Sequence, residues 1–208
     1  LFIGELSLDG ELRPIKGALP ITQKAKKKGF KEIFLPIENA EEASVISGIK
    51  VYGAKSLLEV VRHINTQESE SEELQPAKIK VFSSKKKKTK ARDIEIDFAD
   101  IKGQESAKRG LEIAASGGHN VIMYGPPGTG KTMLARAFTH LLPELAFDEK
   151  LEVTSIYSIG GILASGLIEH PPFRSPHHTA SYVSLVGGGA NLKPGEVTLA
   201  HKGVLFLD

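Results

Sequence analysis

The run Gly125-Pro126-Pro127-Gly128-Thr129-Gly130-Lys131-Thr132 constrains this chain more than any other stretch, because a glycine-rich turn closed by Gly-Lys-Thr fits best between a strand and a helix. Val121-Ile122-Met123-Tyr124 supplies an apolar strand before it, and a helical pattern follows. In that setting Gly125, Gly128 and Gly130 let backbone N–H groups face inward around an anion, and the next helix starts with its positive end toward the same place. Lys131 then reaches the β- and γ-phosphates of a nucleoside triphosphate, and the Thr132 hydroxyl is suited to ligate Mg²⁺. The whole loop, with Pro126, Pro127 and Thr129, is expected to bind the nucleotide.

A second signal ends the chain. Gly203-Val204-Leu205-Phe206-Leu207-Asp208 is an apolar run closed by a carboxylate, the pattern of a core strand that presents an aspartate to the water shell of Mg²⁺. Many buried strands end at Asp, so the run gains weight from the lysine loop upstream. The residue that polarises the attacking water is expected beyond Asp208.

Composition narrows the class. With 40% hydrophobic residues the 208-residue chain reads as ordinary globular material, long enough for one large or two small domains. A formal charge of +2 neither demands nor excludes a nucleic-acid partner. The absence of cysteine removes disulfide frameworks and thiolate metal clusters. No apolar run approaches a membrane span and no signal segment is visible, so a cytoplasmic location is expected. A strand-like start at Leu1 and a strand-like end at Asp208 read as those of an internal piece.

Residues 1–65 have their own organisation. Asp9-Gly10 is a turn dipeptide between two apolar runs and predicts a hairpin. A basic helix over Ile21–Lys28 stopped by Gly29, a strand Glu32–Leu35 ended by Pro36, a short helix Glu38–Val45, a strand Ile49–Gly53 and a helix through Ile64 capped by Ser56 follow. Lys24, Lys26, Lys27, Lys28 and Lys31 read either as a solvated helix face or as a surface for a phosphate backbone. From 66 to 92 an acidic block (Glu68, Glu70, Glu72, Glu73) and a basic block (Lys85 to Lys88, Lys90) leave little to pack, which predicts a flexible charged linker.

Residues 93–208 hold the phosphate loop. A helix from Glu105 to Ala115 is expected before it and a helix from Thr132 to Leu142 after it, stopped by Pro143, with Met133 in packing. Thr154–Ile162 fits either a strand and turn or a short helix. Pro171-Pro172-Phe173-Arg174-Ser175-Pro176-His177-His178-Thr179 predicts a rigid exposed turn that carries Arg174, His177 and His178 to a partner or to the active-site edge. The adjacent histidines lack a third nearby ligand for a metal. Gly187-Gly188-Gly189 and Pro194-Gly195-Glu196 read as functional loops or as structural turns.

Ile101-Lys102-Gly103-Gln104, the 125–132 loop, the 172–179 stretch, the triple glycine, Pro194-Gly195-Glu196 and Leu199-Ala200-His201-Lys202-Gly203 through Asp208 together resemble the AAA+ module of the magnesium-chelatase ATPase-subunit family, and more closely its bacterial ComM-type branch of DNA-processing proteins. The phosphate loop is shared by many families, whereas the proline–histidine stretch with the final strand is far more specific. The first section is similar to the end of a domain of the ribosomal-S5 and Lon-protease type, on the signature Gly4-Glu5-Leu6-Ser7-Leu8-Asp9-Gly10-Glu11-Leu12-Arg13-Pro14-Ile15-Lys16-Gly17. Leu19 and Pro20 stand where Lon-type proteases place a catalytic lysine, so proteolysis is not expected.

The resemblance implies an α/β fold: the first part of a three-layer AAA+ P-loop module over 93–208, preceded by the closing part of the S5/Lon-like domain over 1–65. It implies a hexameric ring-forming motor that hydrolyses ATP with Mg²⁺ and remodels branched DNA by moving the junction, with branched or single-stranded DNA as its partner. Lys131 and Asp208 would be its catalytic residues, Thr132 and Asp208 would serve the metal, and Ile101 and Gly103 would lie near the adenine. The catalytic glutamate, sensor residues, inter-subunit arginine and helical lid are expected beyond Asp208, so weak nucleotide binding without turnover is expected of residues 1–208. A metal-chelatase subunit, a protein-remodelling machine and a binding protein without hydrolysis are the rival readings.

Overall fold

Asp9-Gly10 turns the chain back on itself, with Gly10 at φ 86° and β1 (Glu5–Leu6) antiparallel to β2 (Leu12–Arg13). The computed structural model describes residues 1–68, 81–82, 96–164, 166–189 and 192–208. The chain divides into two units, one of residues 1–86 with 154–167 and one of residues 87–153 with 168–208.

In the first unit the basic helix α1 (Ala18–Lys27) starts earlier than predicted. Pro20 sits in its first turn, where the missing N–H costs nothing. The strand β3 (Glu32–Pro36), helix α2 (Ile37–Ala43) and strand β4 (Lys50–Ala54) form a crossover unit, and the two strands run parallel as that connection requires. Both strands are buried over nearly their whole length. Helix α3 (Leu57–Glu68) follows, with Ser56 Oγ accepting from the Glu59 N–H at 3.3 Å. Phe34, Tyr52, Ala54 and Val60 form a buried cluster, and the Phe34 ring stacks on Phe2 at 5.0 Å and on Tyr52 at 4.6 Å.

Helix α3 extends into the stretch predicted as linker, and β5 (Val81–Phe82) pairs antiparallel with β4. The lysine block and the acidic residues past Glu68 lie outside the described residues. Residues 154–167 close the unit: the Glu42 carboxylate accepts from the Leu19 N–H at 2.7 Å and from Ser158 Oγ at 2.5 Å.

In the second unit a turn over Phe98–Asp100 is capped by Asp97 and leads to helix α4 (Glu105–Gly117). Helix α5 (Lys131–Phe138) follows the phosphate loop and tightens into a 3₁₀ turn at Thr139–Leu141, so the regular helix is shorter than predicted. Helix α6 (Phe147–Gly160), whose residues 147–153 belong to this unit and 154–160 to the first, takes in most of Thr154–Ile162 and decides for helix there. Its start is set by Glu149, whose carboxylate reaches back to the Ala146 N–H at 2.9 Å. Strand β6 (Phe173–Arg174) pairs parallel with β9 (Val204–Leu205), which realises the predicted closing strand over two residues. Between them lie α7 (Tyr182–Val186), the antiparallel pair β7 (Gly187–Gly188) and β8 (Lys193–Pro194), and α8 (Glu196–Leu199). Gly187 and Gly195 approach so closely that a Cβ on Gly195 would stand 2.3 Å from the Gly187 nitrogen.

Three local expectations are corrected. Val121–Tyr124 pairs with no strand among the described residues, and Ile122 and Tyr124 are 96% and 103% exposed. A strand exists through its ladder partners, and apolar alternation alone does not supply them. Met133 is exposed, while Met123 packs against Ile101, Leu111, Leu134 and Ala137. Arg174 is not displayed on an exposed turn; it lies on β6, held by Glu196. Among the described residues, no helix is long and apolar enough to cross a membrane.

Candidate nucleotide-binding site

The loop between Tyr124 and α5 is shaped by its glycines. Gly128 and Gly130 have φ of 81° and 84°, backbone angles that a side chain would strain. Gly130 is also the residue before α5, and no side chain caps that helix start. The first backbone N–H groups of a helix have no partner inside it, so they are left for a ligand or solvent. Thr129 braces the turn by donating its hydroxyl to the Pro126 carbonyl at 2.9 Å.

Lys131, the first residue of α5, turns its ammonium back into the loop. It donates to the Gly125 carbonyl at 2.9 Å and the Pro126 carbonyl at 3.1 Å. A cavity of about 660 Å³ opens beside it, walled by α4, residues 119–126, Thr129 and Lys131. The cavity is large enough for a nucleotide-sized ligand. A lysine ammonium, an uncapped helix start and glycine-only angles at one place fit a polyphosphate.

The other candidate residues stand as follows. Gly125, Pro126, Thr129 and Lys131 line the cavity; Pro127, Gly128, Gly130 and Thr132 belong to the same loop and helix start without lining it. Thr132 is exposed, and its hydroxyl is a hard oxygen donor of the kind Mg²⁺ accepts. Asp208 is exposed past β9 and does not line the cavity. Ile101 is buried in the cluster with Leu111, Leu134 and Ala137, and its carbonyl accepts from Lys108 Nζ at 2.6 Å. Gly103, at φ 66°, is exposed and lies off the cavity wall.

Sequence reasoning missed Gln104 as a site residue. It follows Gly103 with φ 61°, lines the cavity and reaches toward the Thr129 carbonyl at 3.5 Å. A glutamine placed in the left-handed region just before a helix is the only local signal, and it is invisible without the backbone. Reasoning also missed the bidentate pair of Arg174 with Glu196, at 2.5 and 2.7 Å, which ties β6 to the start of α8. His177 and His178 are exposed with rings 4.1 Å apart, and His177 Nδ1 lies 2.7 Å from Thr179 Oγ1. Among the described residues no group of three His, Asp or Glu side chains is arranged to hold a metal ion.

Two carboxylate contacts set the turn before β9. Lys202 Nζ meets Glu149 Oε1 at 3.0 Å, and His201 Nε2 lies 3.3 Å from Glu152 Oε2. The Ala146 N–H and the Lys202 ammonium hold the Glu149 carboxyl below its usual range, and Glu149 raises the Lys202 ammonium.

Comparison with known proteins identifies the family. The family model described as magnesium chelatase, subunit ChlI matches residues 97–208, and a second model, subunit ChlI of Mg-chelatase, matches residues 1–39. The chain is 44% identical to competence protein ComM of Haemophilus influenzae over 208 residues, which is all of this chain and 40% of that protein. It is 41% identical to protein YifB of Escherichia coli over 207 residues, 99% of this chain and 38% of that one. Lon protease 2 of Bacillus subtilis is 34% identical over 119 residues, 53% of this chain and 22% of that enzyme. The chain thus spans about 40% of the length of ComM and YifB. With the family model covering the phosphate loop, the closing strand and everything between, the chain belongs to the magnesium-chelatase subunit ChlI family of AAA+ proteins, in the ComM and YifB branch.

Proposed function

We propose that the whole protein is a Mg²⁺-dependent ATP-hydrolysing ring motor that remodels branched DNA. The observation that carries the nucleotide part is the Lys131 ammonium turned onto the Gly125 and Pro126 carbonyls at the mouth of a cavity. Membership of the magnesium-chelatase family supports nucleotide and Mg²⁺ as the ligands, and Mg²⁺, when bound, would supply charge neutralisation for the phosphates. The chain's own residues do the rest. Lys131 exchanges two carbonyl partners for phosphate oxygens, and the N–H groups at the start of α5 meet the same anion. Thr132 offers its hydroxyl and Asp208 its carboxylate to the metal and its waters, while Gln104 borders the cavity.

The three-layer AAA+ sheet, the hexameric ring and the DNA substrate belong to this proposal. They are supported by the family membership and by a relative named as a competence protein. The test is the ATPase rate of the whole protein without DNA, with duplex and with a branched junction, using Lys131→Ala as the blank. Removing the charge-assisted bonds of Lys131 is expected to weaken nucleotide binding roughly ten- to hundredfold. Strong stimulation by the junction supports the motor. Turnover that ignores every DNA and rises with a porphyrin or a second protein overturns the DNA part. Failure to bind nucleotide overturns the whole reading.

A further inference from the structure

The C-terminal end of α1 carries a concentration of positive charge. Lys24, Lys26, Lys27 and Lys28 are exposed there, and Lys31 follows just past the turn. None of the five makes an ion pair among the described residues. The carboxylate nearest in sequence, Glu32, already faces Lys50 Nζ at 3.3 Å and the Tyr52 hydroxyl at 3.4 Å. The Lys50 N–H donates to the Lys31 carbonyl at 2.9 Å, which sets Lys31 and Lys50 side by side where β3 and β4 begin. The Lys26 side chain lies over the Gly48 turn just before β4, where a Cβ would stand 3.3 Å from its Cε. Helix end, strand starts and turn thus share one cationic surface.

An aromatic ring sits within it. The Gly29 N–H donates to the Lys26 carbonyl and the Phe30 N–H to the Ala25 carbonyl, with Gly29 at φ 85°. This is the Schellman ending, in which the residue after the glycine folds back against the helix. That motif accounts for an apolar residue at position 30, yet the Phe30 ring remains 42% exposed between Lys28 and Lys31. Attraction to the negative helix end accounts for lysines in the last turn. It does not account for Lys31 beyond the turn or for an uncovered ring among unpaired ammonium groups.

We infer that this surface of the first unit binds a single-stranded polynucleotide, with Lys24, Lys26, Lys27, Lys28 and Lys31 on the phosphates and the Phe30 ring stacked on a base. Unpaired lysines neutralise a backbone, and an exposed ring among them is the platform that single strands use and duplexes do not. The inference rests on the proposed DNA reading only for the oligothymidylate probe, and it needs no nucleotide at Lys131.

The test is fluorescence anisotropy of labelled oligothymidylate and oligouridylate of about 15 nucleotides with the full chain, over a salt series. Binding is expected to weaken with salt at a log–log slope of about −0.7 for each phosphate neutralised. Phe30→Ala is expected to lower affinity roughly five- to hundredfold with the salt slope unchanged, and Phe30→Tyr to retain it. Joint Lys26→Glu, Lys27→Glu and Lys28→Glu replacement is expected to abolish binding with the far-UV circular dichroism unchanged. Equal binding of duplex and single strand with no loss in Phe30→Ala overturns the inference. So does a preference for phosphatidylserine vesicles over both oligonucleotides, or no binding at low salt. Lys131→Ala is expected to keep oligonucleotide binding, so a failed ATPase assay and a failed surface remain distinguishable. Oligouridylate binding equal to oligothymidylate supports the surface and marks it as blind to the sugar.

Discussion

Arg174 shows how far a single residue can depart from the reading of its neighbours. Its flanking prolines and histidines predict display, but the side chain is engaged by both Glu196 oxygens and is less than one-third exposed. Arg174→Ala leaves the Glu196 carboxylate, itself 17% exposed, without its partner. Hydrogen bonds to charged groups are worth about 1.5–3 kcal/mol, so a loss of that order is expected in urea unfolding. Arg174→Lys should recover only part of it, because an ammonium cannot make the two-pronged contact. Lys131, by contrast, stands where its neighbours predict a helix to begin, at the first residue of α5. Only Gly-Lys-Thr after an apolar run prescribes both the turn and the cation, and the loop angles at Gly128 and Gly130 match that prescription.

At the scale of elements, the joint between α6 and the turn before β9 contributes to the pH response. Glu149 both closes the first turn of α6 and pairs with Lys202, whose backbone lies at φ 59°. The Glu149 carboxyl is lowered, so its stabilisation is present above the ordinary carboxylate pKa and is lost as pH falls through the lowered value. The Lys202 ammonium is raised, so its share is present below the ordinary lysine pKa and is lost as pH rises through the raised value. Thermal midpoints across pH should therefore show a shallower acid fall in Glu149→Gln than in the parent, from a lower plateau at neutral pH. An unchanged acid limb would remove this joint from the account. Helices α1 and α3 are legible from periodicity with Gly29 and Ser56, and α4 from periodicity. Helix α6 is not, because its residues over Ser158–Gly161 are glycine- and serine-rich and its start depends on a carboxylate reaching back three residues.

At the scale of the molecule, the phosphate loop is held on one side by α5 and its packing on Ile101, Leu111 and Ala137, while the segment leading into it has no strand partner among the described residues. Backbone amides over 121–124 should exchange hydrogen fast in this chain, and slowly in the whole protein if the proposed parallel sheet forms around them. Slow exchange in this chain would contradict the exposed placement of Ile122 and Tyr124.

The sequence by itself determined the glycine-rich turn and helix start at 125–132, the hairpin at Asp9-Gly10, the strand–helix–strand order of β3, α2 and β4, and the family, because these rest on local steric rules and on residue order. Only the tertiary structure decided that Arg174 is paired, that Gln104 borders the cavity, that Met123 rather than Met133 is packed, and that Val121–Tyr124 has no ladder partner among the described residues. Each of these depends on which groups are brought together across the chain, and pairing, burial and desolvation have no local signature.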